Sequence, residues 1–408
     1  MRQTPYYVFD TDEFAKRAAM IRAALDCKGG RRIPLCFSIK ANPFLLHRLP
    51  EGLDHVEVCS PGELEICIAL GVKPESIIYS GVMKEKCDIE RAVSYGAGIL
   101  TCESIRHAAL ISEVMLEGMS EGAHEAEFAE KKAQVILRLT SGNQFGMSFE
   151  DIEYIISHPD EFKGIAVMGI HYYSGTQKSL RKINKDLEKI KSALTGLKEK
   201  YGFEPQLVEY GPGLCVEYFE EDWQEREKQA LDEAAEVLRE FAEEYPLGIE
   251  MGRFLAASCG KYYTQVKDLK STGDANYAIL DGGIHHLNYF GQRMAMQVPP
   301  IKVYGCEVSE NGEKTGVELT QLPDTDYTLC GSLCTVADVL VREVKLKKLE
   351  LGDVLEFGHC GAYSVTEAPA LFLSRQLPAI YAYSKEYGYE CLREHIPAAE
   401  INLAGKKL

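Results

Sequence analysis

The chain has 408 residues, 46% of them hydrophobic, which predicts a large core and more than one domain. Its net charge of −17, from 45 basic and 62 acidic residues, argues against nucleic acid or an anionic membrane as a partner. Because its thirteen cysteines form no C-x-x-C pair and no apolar signal or membrane-spanning run is visible, we expect reduced thiols, no metal site and a cytoplasmic protein.

Short apolar runs alternate with amphipathic segments over the first 255 residues. The predicted strands are Leu35–Lys40, His55–Cys59, Ile77–Ser80, Gly98–Thr101, Val135–Leu139, Ala166–His171, Leu207–Tyr210 and Gly248–Glu250. The predicted helices between them include Gly62–Leu70, Glu85–Tyr95, Ile105–Glu117, Leu180–Tyr201 and Glu225–Tyr245. Eight such repeats favour a (β/α)8 TIM barrel, although a doubly wound sheet would alternate in the same way.

The pattern changes after Cys259, where short strand-like runs are separated by glycines and polar turns. These runs are Tyr262–Val266, Tyr277–Asp281, Val303–Val308, Val317–Leu322 and Val354–Phe357. The opening run Tyr6–Phe9 is also strand-like and precedes a helix start. We therefore expect an N-terminal segment, 1–20, that joins a β domain, a barrel over 21–257, and a C-terminal all-β domain over 258–408.

In a (β/α)8 barrel, functional groups gather where the strands end. The chain places ionisable groups, an imidazole and glycine-containing turns at these positions. They are Lys40, Glu57, Arg138, His171, Ser174, Gly211, Gly213, Glu250, Gly252 and Arg253. A strand-end lysine commonly reaches solvent and a glycine turn is usually only a turn, but this joint order favours a single site.

This set suits a phosphorylated, electron-poor aromatic aldehyde. A poorly solvated amine at Lys40 would bond to the aldehyde. A carboxylate at Glu250 would keep a ring nitrogen protonated, and the imidazole of His171 would stack on the ring. Backbone N–H groups in the glycine turns would approach a phosphate. The residues therefore predict pyridoxal 5′-phosphate as the cofactor.

The motifs resemble those of the fold-type III pyridoxal-phosphate decarboxylases, which act on diaminopimelate, ornithine or arginine and have alanine racemase as a distant relative. The matching segments are Phe37–Asn42 (family Y-A-x-K-A-N), Glu57–Leu64 (D-x-x-S-x-G-E-L), His171–Gly175 (H-x-x-S-G), Tyr210–Leu214 (a glycine triplet) and Glu250–Arg253 (E-P-G-R). The resemblance implies an alanine-racemase-like barrel, with Lys40 as the Schiff-base lysine and His171 as the stacking residue. It also implies cofactor-binding roles for Glu57, Arg138, Ser174, Gly211, Gly213, Glu250, Gly252 and Arg253.

The resemblance continues into the β domain. Gly331–Asp338 resembles the family's G-P-x-C-E-S-x-D segment, which implies that Cys334 reaches the partner subunit's site and protonates the carbon that loses CO₂. Taken alone, a free cysteine is more often a small buried hydrophobe. Gly361–Ser364 resembles the G-A-Y motif and implies that Tyr363 binds the cofactor phosphate. A shared site of this kind implies a homodimer.

Departures from the family pattern bear on the substrate. Pro212 interrupts the glycine triplet and removes one backbone donor. Thr335 stands where the family has an acidic residue that faces the substrate's distal end, which argues against a distal ammonium. The sequence looks closer to a branch that includes the butirosin-pathway decarboxylase of glutamyl groups on an acyl carrier protein. We expect α-decarboxylation of a free or carrier-bound amino acid, with Arg293, Thr335 and Asp338 as candidate substrate contacts.

Two other functions stay open at the level of sequence. An amino-acid racemase would use the same lysine, but the racemases place arginine at the ring nitrogen, so Glu250 and Cys334 disfavour this reading. A catalytically silent regulatory homologue would be expected to lose cofactor residues. The presence of Lys40, His171 and Tyr363 disfavours that alternative.

Overall fold

A computed structural model describes residues 2–26, 29–120, 132–308, 314–319 and 324–405. The chain divides into two compact units, which we call the barrel unit and the β unit. The barrel unit comprises Arg17–Cys215 and Glu225–Leu255, and the β unit comprises Met1–Lys16, Val216–Gln224 and Ala256–Leu408. Within the described ranges, no helix is both long enough and apolar enough to cross a membrane.

Eight parallel strands of the barrel unit form a closed barrel in chain order. They are β2 (Leu35–Ser38), β3 (His55–Val58), β4 (Ile77–Tyr79), β5 (Ile99–Cys102), β6 (Ala133–Arg138), β7 (Ile165–Tyr173), β8 (Leu207–Gly211) and β9 (Leu247–Met251). The barrel closes where β9 pairs with β2, with Cys36 opposite Glu250. The (β/α)8 prediction is confirmed, and the doubly wound alternative is wrong because an open sheet would not pair its first and last strands.

The strands are largely apolar because most of their residues are buried on both faces of the sheet. Every residue of β2 and β9 is buried. Cys36, Ile78 and Ile136 form a buried cluster and come from alternate strands, as in the side-chain layers that fill a barrel interior. Several polar groups lie at or near the carboxyl ends of the strands, where they form the site described below.

Helices precede, connect and follow the barrel strands. Their bounds are Thr11–Leu25, Pro61–Ala69, Lys86–Tyr95, Ile105–Ser120, Phe149–Ser157, Leu180–Tyr201, Trp223–Glu244 and Arg253–Ala256. The start of Pro61–Ala69 illustrates how a cap fixes a loop near the site. Ser60 accepts a hydrogen bond from the backbone N–H of Glu63, whose carboxylate in turn accepts one from the N–H of Cys59. This reciprocal pair sets the path of the chain directly after β3.

The β unit contains a large mixed sheet. Its strands are β1 (Tyr6–Asp10), β10 (Gly260–Thr272), β11 (Ala275–Leu280), β12 (Ile301–Val308), β13 (Lys314–Glu318), β14 (Asp324–Cys330), β15 (Val339–Lys347), β16 (Val354–Phe357), β17 (Ala379–Ser384) and β18 (Gly388–Arg393). The N-terminal strand β1 lies between β10, to which it is antiparallel, and β17, to which it is parallel. Two short helices, Ser364–Glu367 and Ala398–Asn402, complete the described part of the unit.

The sequence located only some of these strands. The predicted run Val317–Leu322 overlaps β13, and its residues 320–322 lie outside the described part of the chain. Strands β14, β15, β17 and β18 were not predicted. Their sequences carry many charged or tyrosine residues, and β15 keeps a mixed pattern of buried and exposed positions, so they lack the apolar runs that mark the barrel strands.

Candidate active site

Lys40 stands one turn beyond its barrel strand. Strand β2 ends at Ser38, and Lys40 lies in the following 3₁₀ turn, Ile39–Ala41, so the predicted strand Leu35–Lys40 was two residues too long. Its ammonium donates to Glu57 Oε2 at 2.8 Å and lies 3.6 Å from Glu250 Oε1. The lysine side chain is 35% exposed, whereas the two carboxylate side chains are 4% and 8% exposed. The amine of Lys40 therefore lies between the buried carboxyl groups of Glu57 and Glu250 and the exposed side of the site.

Glu250 is a buried carboxylate with several hydrogen-bond partners. The hydroxyl of Ser38 donates to Oε1 at 2.7 Å, and Nε2 of His171 bonds to Oε2 at 3.0 Å. Burial acts to raise the pKa of this carboxyl, but the charge of Lys40 and the hydrogen bonds from His171 and Ser38 outweigh it and hold the pKa well below its usual range. Glu250 is therefore a buried carboxylate that stays ionised at neutral pH.

A second buried carboxyl, Glu209, has the opposite tendency. It lies on β8 opposite His171 in the strand register. Burial raises its pKa well above the usual range, and the nearby charges of Glu250 and Glu57 add to the rise. The barrel end therefore holds one carboxyl group that favours the charged form and another that favours the protonated form.

Arg138 ends β6 and pairs in register with His171 on β7. Its guanidinium donates to Glu103 Oε1 at 2.6 Å, and Glu103 Oε2 accepts from the backbone N–H of Gly146 at 3.1 Å. Both side chains are nearly buried. This contact holds the loop after β6 against the strand end, and sequence reasoning did not identify Glu103 as the partner.

The turn after β8 contains the glycines expected to approach a phosphate. A Cβ atom added to Gly211 would lie 2.5 Å from the ring of Tyr173, and one added to Gly213 would lie 2.1 Å from the carbonyl oxygen of Gly175. Gly213 also has a positive φ of 57°, which disfavours other residues. Ser174 is close to this turn and donates to Asp186 Oδ2 at 2.7 Å.

The segment after β9 carries the last barrel candidates. Gly252 follows the strand directly, and Arg253 begins the short helix Arg253–Ala256. The barrel unit thus brings Lys40, Glu57, His171 and Glu250 into one network of direct contacts. Strand ends or adjoining turns carry the other barrel candidates, Arg138, Ser174, Gly211, Gly213, Gly252 and Arg253.

The remaining catalytic candidates belong to the β unit. Cys334 is exposed on the loop between β14 and β15, and its neighbour Val336 is 96% exposed. Tyr363 is half-buried and adopts a positive φ of 66° at the start of the helix Ser364–Glu367. A tyrosine in this conformation is uncommon, and such strain is found more often at functional positions than elsewhere.

The three candidate substrate contacts differ in exposure. Arg293 is exposed and Thr335 is half-buried. Asp338 is buried, and its two carboxylate oxygens accept backbone N–H groups of Ile284 at 2.8 Å and Leu333 at 2.6 Å. Asp338 therefore fixes the base of the Cys334 loop within its own unit. Its contact with a substrate stays a prediction.

Several residues of the site were missed by sequence reasoning. Ser38 and Cys59 contact the carboxylate and amine of the central network, and Lys178 is an ion-pair partner of Asp186. A serine inside a buried strand, or a lysine just before a helix, gives no signal in one sequence. Glu209 could have been noticed, because a carboxylate interrupts the otherwise apolar run of β8.

These groups fit the expected cofactor. The amine of Lys40 lies beside the carboxyl groups of Glu57 and Glu250, Glu250 can accept a hydrogen bond from a ring nitrogen, and the turn of Gly211 and Gly213 has no room for a Cβ atom. An amine, an acceptor for a protonated ring nitrogen, and a glycine-containing turn are the groups that pyridoxal phosphate requires of a protein.

Comparisons with known proteins agree with this chemistry. Residues 11–257 match the family described as "Pyridoxal-dependent decarboxylase, pyridoxal binding domain". The L-glutamyl-(BtrI acyl-carrier protein) decarboxylase of Niallia circulans is 27% identical, over 98% of this chain and 93% of that protein. The diaminopimelate decarboxylase of Zymomonas mobilis is 25% identical, over 92% and 86%. The crystal structure of diaminopimelate decarboxylase from Helicobacter pylori complexed with L-lysine has a TM-score of 0.79 at 20% identity, over 98% and 96%, which shows a common fold.

Proposed function

Because the chain belongs to the pyridoxal-dependent decarboxylase family, whose members are carboxy-lyases that use pyridoxal phosphate, we propose that it removes the α-carboxylate of an amino acid without a distal ammonium group. The observation that carries the assignment of residues is the contact network of Lys40, Glu57, Glu250 and His171. The amine in this network belongs to Lys40, and the side chain of Lys40 is partly exposed, so a cofactor can reach it. We therefore assign this lysine as the covalent anchor.

The barrel residues have distinct tasks in this reaction. When bound, pyridoxal phosphate supplies an electron sink for the electron pair that CO₂ leaves behind. Glu250 stays ionised and holds a proton on a ring nitrogen placed against it, which sustains that sink. His171 fixes the orientation of Glu250 through its Nε2 hydrogen bond and offers the face of its ring for stacking. The glycine turn, Ser174 and Arg253 hold the phosphate end.

Cys334 delivers the proton that replaces the lost carboxylate. Its thiol is exposed on a loop whose base is fixed by Asp338, so it is free to meet a substrate. We assign Cys334 to the active site of a second copy of the chain, so that the protein is a homodimer, and Tyr363 to the binding of the cofactor phosphate. The exposed apolar side chain of Val336, two residues after Cys334, fits burial against another protein surface.

The substrate assignment rests on Thr335. A threonine beside the catalytic cysteine cannot pair with a distal ammonium as a carboxylate would. A neutral or amide-linked side chain, such as a glutamyl group joined to an acyl carrier protein, fits this position better than ornithine or diaminopimelate. The name of the relative from Niallia circulans agrees with a carrier-bound substrate.

The described cysteines form no disulfide with one another. A set of cysteines without disulfides, several of them exposed, is typical of a reducing compartment. We therefore assign the protein to the cytoplasm.

A screen of CO₂ release tests the proposed function. Purified enzyme with pyridoxal phosphate is offered diaminopimelate, ornithine, lysine, arginine and both enantiomers of glutamate, together with a glutamyl-acyl carrier protein. We expect turnover of a glutamyl substrate and little turnover of the diamines, whereas strong turnover of meso-diaminopimelate would overturn the inference from Thr335. Loss of chirality in recovered substrate without CO₂ release would identify a racemase instead.

A further inference from the structure

Lys178 places a buried ammonium group beside the turn that follows β8. Its side chain is 0% exposed, and its ion-pair partner Asp186 is 7% exposed, with Nζ and Oδ2 at 2.8 Å. Withdrawing two charges from water costs free energy that their attraction only partly returns. Such a pair is a poor source of stability, and fixing one conformation is a better-attested use of it.

Two hydrogen bonds connect this lysine to the turn. The backbone N–H of Lys178 donates to the carbonyl oxygen of Gly213 at 2.9 Å, and its Nζ donates to the carbonyl oxygen of Gly211 at 2.8 Å. Both carbonyl oxygens are therefore directed at Lys178. A turn that receives an anion must keep these partly negative oxygens away from it, so the two bonds favour the orientation that phosphate binding needs.

The turn is also held sterically on the side of Lys178. A Cβ atom on Gly213 would lie 2.7 Å from Cε of Lys178, so the missing side chain of this glycine leaves room for the lysine stem. A Cβ atom on Gly211 would collide with the ring of Tyr173. The turn is thus packed between a lysine and an aromatic ring, and little freedom is left to it.

The same ion pair fixes the hydroxyl of Ser174. Ser174 donates to Asp186 Oδ2 at 2.7 Å, and its oxygen lies 3.3 Å from Nζ of Lys178. The hydroxyl of Tyr210 donates to the same carboxylate oxygen at 3.1 Å. The buried Lys178–Asp186 pair therefore connects three segments: the residue after β7, the turn that follows β8, and the helix Leu180–Tyr201.

We propose that Lys178, paired with Asp186, is a positioning residue for the cofactor phosphate: it fixes the Gly211–Gly213 turn in the arrangement that receives the phosphate. This inference rests on the proposed function, which assigns that turn and Ser174 to the phosphate end. Lys178 does not itself contact the phosphate in this account, and it acts through the groups that do.

The test compares the affinity of the full-length apoprotein for pyridoxal phosphate and for pyridoxal, which lacks the phosphate. The variant Lys178→Met/Asp186→Asn removes both charges and keeps an acceptor for Ser174 and Tyr210. We expect its dissociation constant for pyridoxal phosphate to rise about tenfold or more, while that for pyridoxal changes little, because the lost hydrogen bonds order only the phosphate subsite. Absorbance titration measures both constants.

A second buried ion pair of the barrel unit supplies the matched control. Arg17 and Glu227 form a contact of the same type, so Arg17→Met/Glu227→Gln should lower the melting temperature without changing the ratio of the two dissociation constants. If the Lys178→Met/Asp186→Asn variant loses both affinities equally, so that the ratio of the two dissociation constants is unchanged, the positioning role is refuted. If that variant does not fold, the same ratio is measured for Asp186→Asn alone, and it must shift in the same direction. Should the wild type itself fail to prefer pyridoxal phosphate over pyridoxal, the phosphate site of the proposed function is wrong.

Discussion

Two glutamates of the barrel unit allow a test of charge state at the level of single residues. Against the effect of burial, Lys40 and His171 keep Glu250 ionised, whereas burial raises the pKa of Glu209. We expect Glu250→Gln to lower kcat by about 100-fold or more, since an amide cannot stabilise a protonated ring nitrogen. Glu209→Gln replaces a carboxyl that favours its protonated form by a neutral group of the same size, and kcat should be nearly unchanged.

Steady-state CO₂ release measures both variants, and the absorbance of bound cofactor shows whether each is loaded. Equal losses in the two variants would mean that the charge of Glu250 has no special role. The same result would show that any amide at this barrel end disturbs the site.

Lys84 gives a prediction for pH dependence. It is 1% exposed, its Nζ donates to the carbonyl oxygen of Gly81 at 2.5 Å, and burial lowers its pKa from 10.5 to about 8. Between these two values the unfolded chain binds the proton more tightly than the folded chain. Loss of the Lys84 proton should therefore increase the free energy of unfolding by up to about 3 kcal/mol as the pH rises from about 8 to 10.5.

Denaturant unfolding of Lys84→Met at pH 7 and pH 10 measures this contribution as a difference from the wild type. The difference in the free energy of unfolding, variant minus wild type, should be larger at pH 7 than at pH 10. At pH 7 the wild type carries a buried ammonium that the variant lacks. Lys73→Met, at an exposed lysine, serves as the control and should show the same difference at both values. A pH-independent effect of Lys84→Met would contradict the buried, weakly basic lysine.

At the scale of elements, the contact between β7 and β8 depends on one glycine. Gly169 pairs with Leu207, and a Cβ atom there would lie 1.6 Å from the Leu207 carbonyl oxygen. Gly169→Ala should lower the free energy of unfolding by about 1–3 kcal/mol or more, because two strand backbones must move apart. The shift would also disturb His171, two positions along β7, and so reduce activity.

Urea unfolding and CO₂ release measure the two effects of Gly169→Ala. Gly118 provides the control, since it lies in the helix Ile105–Ser120 and a Cβ atom there meets nothing within 4 Å. Gly118→Ala should be neutral or stabilising by up to about 1 kcal/mol. Comparable destabilisation by both substitutions would show that the strand contact is not the cause.

The elements also show what one sequence can reveal. The barrel strands are buried on both faces and so appear as apolar runs, and the helix Leu180–Tyr201 was predicted with its observed bounds. The β unit was only partly found, because strands such as β15 alternate charged and apolar residues without a clear period. The positions of the strand ends made Lys40 and Glu250 candidates for the site. The Lys178–Asp186 pair could not be foreseen, since its contacts arise from the folding of a turn against a neighbouring strand end.

For the whole molecule, the proposed homodimer makes a prediction about mixed subunits. Lys40→Ala removes the anchor and Cys334→Ala removes the proton donor, so each variant alone should lack clean amine formation. If each active site combines Lys40 of one copy with Cys334 of another, co-expression of the two variants should restore part of the activity. Chromatography with light scattering checks that mixed dimers form, and mixed dimers without recovered activity would argue against shared sites.

The most direct measurement is the location of the cofactor. Borohydride reduction of the holoenzyme makes the bond between lysine and cofactor permanent, and mass spectrometry of peptides then identifies the modified residue. The account predicts a phosphopyridoxyl group on Lys40 and none on Lys84 or Lys178, which are the buried lysines of the described residues. Modification of either of those residues, or an unmodified Lys40 in an enzyme that releases CO₂, would contradict it.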